Sequence, residues 1–396
     1  MTRRGLTFAL VAMLALTACG SHPEPDSGKP ANPNTKASRV LGSVPLTNVV
    51  DSLRDAASSM TVLTHISRSG INDWESHPTA SVFVPKADAP PGGFPIVVLG
   101  HRITGVGPEC APSLSATLDG LAPTVEALLR AGYVVTVPDF QGRGRPSATT
   151  MPSDRYHPYL DSTTLGYNMI DAARTAHEAV KQSSVSWVAM GVGEGGQAAW
   201  AANELAVNYN DANLKLLGSL SISPISDVDG LADAAVDGTL TDDQKVALAR
   251  FLAALHAEYP DVVNLDDFRR GSAAQQWDAL LGCQPAPSAQ EVASHIPATD
   301  LQPASQDAAD TLRGFLKKVD LPQAPAHAPM MVLYSDTDAI SPATWTDRAL
   351  EAACKLGDTI TIRKEPQTQP ASEVQLAWIA DRFAGNPAPN DCIGRP

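Results

Sequence analysis

Short apolar runs recur along the body of the chain, at 81–84, 96–99, 133–137, 185–190, 216–222, 330–334 and 359–362. They are largely continuous rather than alternating, which is the pattern of strands buried on both faces. Between them apolar residues fall at helical spacing, for example over 121–131, closed by Gly132, and over 165–180. Strands alternating with helices predict a mostly parallel sheet covered on both faces. In such sheets functional groups gather beyond the carboxyl ends of the strands. The residues so placed are His101 and Arg102, Asp139, Gly193 and Glu194, Ser223, Asp336 and Asp338.

The stretch from about 226 to 321 breaks this rhythm. It is rich in Ala, Asp and Leu, with Val246, Leu248, Ala249, Phe251, Leu252 and Leu255 at helical spacing and no convincing strand. A helical insertion between strands reads as a cap over the strand ends. A separate helical domain would need a second linker, and the chain instead returns to a strand at Met330.

Composition sharpens the picture at the two ends of scale. With 43% hydrophobic residues among 396, the chain can bury a large core. A formal charge of −14 argues against nucleic acid as a partner, because phosphate binding needs a basic surface. No cofactor and no metal are expected.

The amino terminus reads as a processing signal. Arg3 and Arg4 precede a short apolar run over 6–16, which ends in Leu16-Thr17-Ala18-Cys19. This tetrad resembles a bacterial lipobox, in which the Cys becomes the new terminus and carries the lipid. The expectation is a signal peptide over 1–18, a Pro-, Ser- and Asn-rich tether over 19–38, and a folded body over 39–396. Loss of Arg3 and Arg4 makes the mature chain more negative by two. The lipid on Cys19 would therefore be what holds it at the outer face of the cell membrane. Cys110, Cys283, Cys354 and Cys392 remain, and in an exported chain they allow three disulfide pairings.

The chemistry centres on Trp187 to Met190, then Gly191-Val192-Gly193-Glu194-Gly195-Gly196, then an Ala-rich helix. A strand turning sharply into a helix through Gly-x-Ser-x-Gly is the nucleophile elbow of α/β-hydrolases. Both outer glycines are present, and Gly193 occupies the Ser position. Around it stand Gly100-His101-Arg102-Ile103-Thr104-Gly105 with Cys110-Ala111-Pro112-Ser113, Pro138 to Gly144 with His157-Pro158-Tyr159-Leu160, Ser335 to Pro342, and Trp378 to Gly385 with Cys392. Taken in order over roughly Leu41 to Cys392, these resemble the secretory lipase family, capped α/β-hydrolases acting on acyl esters.

The resemblance implies an α/β-hydrolase fold, a mostly parallel sheet with helices on both faces and a helical cap insertion. It implies Cys110 with Cys283 and Cys354 with Cys392 as the disulfides. It makes Asp338 the acid of a triad, and Glu194 the residue whose backbone N–H serves the oxyanion hole while its side chain turns away from substrate. Two departures matter, because acyl transfer on this fold needs a hydroxyl nucleophile and a His between it and the acid. Gly193 has no side-chain oxygen, and no histidine follows His327; the expected His loop reads Pro366-Gln367-Thr368-Gln369-Pro370. Arg102 also stands where the family has Gly.

Substitutes are weak. His101 matches a family His and reads as a loop-structure residue, and Ser221 and Ser223 read as strand exit. Arg102 is expected to pair with Glu194 or Asp338. A glycine at the elbow keeps the strained turn while removing its strain. The expectation is a lipoprotein that binds an acyl chain, another hydrophobic ligand or a partner without triad chemistry. The alternatives are an active carboxylic ester hydrolase using other groups, and a structural envelope protein.

Overall fold

The computed structural model describes residues 39–145, 151–209, 213–283, 288–338, 340–365 and 371–394. Nine strands form the main sheet: β1 Val40–Pro45, β2 Ala57–His65, β3 Thr79–Pro85, β4 Phe94–Gly100, β5 Val134–Pro138, β6 Ser183–Val192, β7 Lys215–Ile222, β8 Met330–Tyr334 and β9 Ile360–Lys364. Their spatial order is β1-β2-β3-β5-β4-β6-β7-β8-β9. The pairs β1/β2, β2/β3 and β3/β5 are antiparallel. From β5 through β4, β6, β7 and β8 to β9 every pair is parallel.

The continuous apolar runs are explained by what lies on either face. Successive side chains of a strand point to opposite faces. Val97, Leu99, Val135, Val188, Met190 and Leu220 pack on one side with Val125 and Leu128 of α1 (Ala122–Arg130). Ile96, Val98, Val134, Trp187 and Ala189 pack on the other. There they meet Leu165, Met169 and Ala173 of α2 (Ser162–Ala179) and Ala198 and Ala202 of α3 (Glu194–Tyr209). Small residues on α3 let it lie close to the sheet. A Cβ added at Gly195 would sit 2.2 Å from the carbonyl oxygen of Gly100. The helix that delivers the elbow is thus pressed against the strand that delivers His101.

Between β7 and β8 lies the helical insertion, with α4 Asp229–Asp237, α5 Asp242–Glu258, α6 Ala289–Ser294 and α7 Gln306–Val319. Thr241 and Gln244 form a capping box that starts α5. Leu248, Phe251 and Leu252 of α5 share a core with Leu312 and Leu316 of α7, and with Tyr159, Leu160 and Trp345 of the sheet-bearing part. The insertion therefore buries its apolar face against the rest of the chain.

Cys110 is bonded to Cys283, tying the loop after β4 to the insertion. Cys354, at the end of α8 (Ala343–Lys355), is bonded to Cys392, beyond α9 (Glu373–Ala384). These are the pairings the family resemblance implies. No helix among the described residues is long and apolar enough to cross a membrane. Cys19 and the loop holding Gln367 and Gln369 lie outside the described residues.

Candidate functional site

Strand β6 runs out at Val192 and α3 begins at Glu194, leaving Gly193 alone in the turn with φ +60°. Its N–H donates to Ile222 O of β7 at 2.9 Å, and its carbonyl accepts from Gln197 N at 2.9 Å. The turn is thereby fixed at both ends. A Cβ built on Gly193 would meet only Arg102, with Cβ at 3.6 Å and Cα at 3.8 Å, which is ordinary contact. Space for a side chain exists, and it faces Arg102.

That space belongs to a cavity of about 450 Å³. Its floor is Val192, Gly193 and Glu194, and its walls include Arg102, Ser223 and Asp338. Asp243 of α5 and Gln290 of α6 close it from the insertion, and Ile103, Ile225 and Ile340 give it apolar surface. Four strand ends, those of β4, β6, β7 and β8, thus contribute residues to one hollow, as expected for this sheet type. Asp338 Oδ1 accepts from the backbone N–H groups of Ile340 at 3.0 Å and Ser341 at 2.8 Å. Ser223, the second residue of interest at a strand end, has φ +44° although it is not glycine. Its N–H donates to Leu333 O at 2.7 Å.

The expected pairing of Arg102 with Glu194 is not what the structure contains. The Glu194 carboxylate is fully buried and engaged elsewhere: Arg143 Nη2 donates to Oε2 at 2.7 Å and His157 Nε2 lies 2.6 Å from Oε1. Arg143 Nη2 and His157 Nε2 are also in hydrogen-bond contact with each other. Arg102 is exposed and makes no ion pair with Asp338 or any other carboxylate among the described residues. The reason is competition: Arg143 is buried, so only a buried carboxylate can compensate its charge, and Glu194 is the one within reach.

Burial and neighbouring charge act against each other in this cluster. Burial pushes the Glu194 carboxyl up, but Arg143 and then His157 outweigh it, and the group stays ionised well below the usual range. Burial and then Arg143 push the His157 imidazole down. His101 is pushed down to about 3, again by burial first and Arg143 second. Its Nδ1 lies 2.6 Å from Arg102 O, and its ring packs 5.0 Å from Phe140. A neutral imidazole held this way shapes the loop after β4.

Asp139 also lies outside the cavity lining. Its Oδ1 accepts from Ser113 N at 2.9 Å and its Oδ2 from Thr79 Oγ1 at 2.5 Å, while burial pushes its pKa up. It holds the Ser113 loop in place. Asp336 is turned outward to Lys364, at 2.7 Å. The structure therefore brings Arg102, Gly193, Glu194, Ser223 and Asp338 together and sets His101 and Asp139 behind them. Arg143 and His157 belong to the motif segments around the elbow, and the structure sets them beneath it, on the Glu194 carboxylate.

Comparison with known proteins bears on this arrangement. The model of the family described as secretory lipase matches residues 116–391. No curated protein matches by sequence. Among solved structures, Candida antarctica lipase A in its closed state superposes with a TM-score of 0.71 at 16% identity, covering 94% of this chain and 89% of that one. The rice cell wall degrading esterase LipA from Xanthomonas oryzae gives 0.68 at 17% identity, covering 89% and 97%. A putative hydrolase from Legionella pneumophila gives 0.67 at 18% identity, covering 87% and 96%. At these identities the structural likeness speaks for the α/β-hydrolase fold alone. The family match spans well over half of the chain, from the segment before α1 to the tail beyond α9, and the chain belongs to the secretory lipase family.

Proposed function

We propose that this protein is an exported lipoprotein, anchored through a lipid on Cys19 at the outer face of the cell membrane, that binds an acyl-chain or similar hydrophobic ligand and does not hydrolyse esters by a triad. The observation that carries the reading is Gly193. The elbow retains its turn, and a cavity of about 450 Å³ opens over it, within the roughly 300–1,000 Å³ typical of small-molecule sites. In this reading no hydroxyl stands at position 193, and no histidine follows Asp338 to carry a proton between nucleophile and acid. Asp338 is the remaining member of the triad, Glu194 supplies only its backbone N–H to the cavity, and the insertion over 226–321 is the cap.

The test uses the purified protein with p-nitrophenyl esters of short and medium chain and a fluorophosphonate probe. The expected result is neither saturable turnover nor labelling, with lipid co-purifying in mass spectrometry. Gly193→Ser combined with Gln369→His is expected to restore labelling, at position 193. Its absence in a correctly folded double variant would mean that the cavity does not admit an acyl substrate.

One observation favours a second reading. Ser223 lines the same cavity with φ +44°, and side-chain-bearing residues in this region cost about 1–3 kcal/mol and cluster at functional sites. In that reading the protein is an esterase with its nucleophile moved one strand over. Turnover of the unmodified protein that is lost in Ser223→Ala would establish it against the first.

A further inference from the structure

Resting on the binding reading above, we infer that the ligand is an anionic amphiphile whose carboxylate head pairs with Arg102 in the cavity, with its chain along Ile103, Ile225 and Ile340. The space left at position 193 has room for one small side chain and abuts the root of the Arg102 side chain, with Cβ at 3.6 Å and Cα at 3.8 Å, while the rest of that side chain also lines the cavity. A three-atom planar head fits such a volume, and a guanidinium fork matches a carboxylate in shape.

The charges around the cavity are unequal in what they already hold. Asp338 is stabilised by two backbone N–H donors, and Asp243 sits in the first turn of α5, where a helix favours negative charge. The other nearby cation, Arg143, is consumed by Glu194. Among the described residues Arg102 is the one cation lining the cavity, and it makes no ion pair there; Asp243 and Asp338 line it too, likewise without an ion pair. A neutral ester leaves the Arg102 charge unused, whereas a carboxylate completes it.

Isothermal titration of the purified protein with dodecanoate, methyl dodecanoate and dodecyltrimethylammonium separates the possibilities. Dodecanoate is expected to bind at least about tenfold more tightly than the methyl ester, the scale of one charge-assisted hydrogen bond. Arg102→Gln is expected to remove that preference, and Arg102→Lys to retain part of it. Equal binding of acid and ester, preference for the trimethylammonium, or an unchanged acid preference in Arg102→Gln overturns the inference while the binding reading stands. Binding of none of the three overturns both.

Discussion

Glu194 faces two ways: it helps form the floor of the cavity, yet its carboxylate is locked to Arg143 and His157 out of solvent. Removing its charge leaves the Arg143 guanidinium buried and uncompensated, which costs about 3–5 kcal/mol in comparable cases. Glu194→Gln is therefore expected to lose about that much unfolding free energy in urea titration. Arg143→Met/Glu194→Leu should recover most of it, because the unpaired charge is gone. A single variant as stable as the parent would show that the ion pair supports nothing. At this scale the sequence was legible where local geometry carries the signal, as at Gly193, whose place is marked by flanking glycines. It was not legible where charges meet across the fold. Arg143 and His157 lie in separate loops from Glu194, and nothing in their spacing tells that Arg143 rather than Arg102 takes the carboxylate.

At the scale of elements, the seven apolar runs all became strands, because burial on both faces leaves an unmistakable pattern in β3 to β9. Strands β1 and β2 carry no continuous buried apolar run. Their residues are half exposed, with Ser58, Ser59 and Thr61 in β2, and their pairing depends on antiparallel partners rather than on a buried run. The insertion was legible as helical, but its internal contacts were not. Glu258, at the carboxyl end of α5, is pushed up to about 9, chiefly by burial and then by Asp161, which caps the start of α2. Its folded pKa lies above its unfolded value, so its stabilising effect is full below the usual carboxylate range and fades as pH rises toward 9. Glu258→Gln is expected to raise the melting temperature above about pH 5, with a gain that grows toward pH 9 at up to about 1 kcal/mol per pH unit. A gain independent of pH would place the effect in packing rather than in the proton.

For the whole molecule, buried groups of opposite sign compete. His65 is pushed down to about 4 and His101 to about 3, both first by burial. Their unfolded forms take up protons below about pH 6.5 while the folded forms do not, so each loses stability as pH falls from there to its folded value. Glu204, pushed up to about 7 by burial, and Glu258 act in reverse: the folded chain holds their protons longer, and stability falls as pH rises. Asp139 and Asp161 are displaced upward and add the same sign. Between about pH 5 and 6.5 the two sets oppose each other, His65, His101 and His157 against Glu204, Glu258 and Asp320, which burial pushes up to about 8, and the profile should be nearly flat. Above that the histidines are neutral in both states and only the carboxylates remain. Unfolding free energy at constant ionic strength is thus expected to drop by about 1–3 kcal/mol from pH 6.5 to 8.5. Each released proton also deepens the charge of −14, and self-repulsion pulls in the same direction. A profile rising to pH 8.5 would mean that the buried carboxyls are already ionised at neutrality, and that water reaches Glu204 and Glu258 in the folded chain.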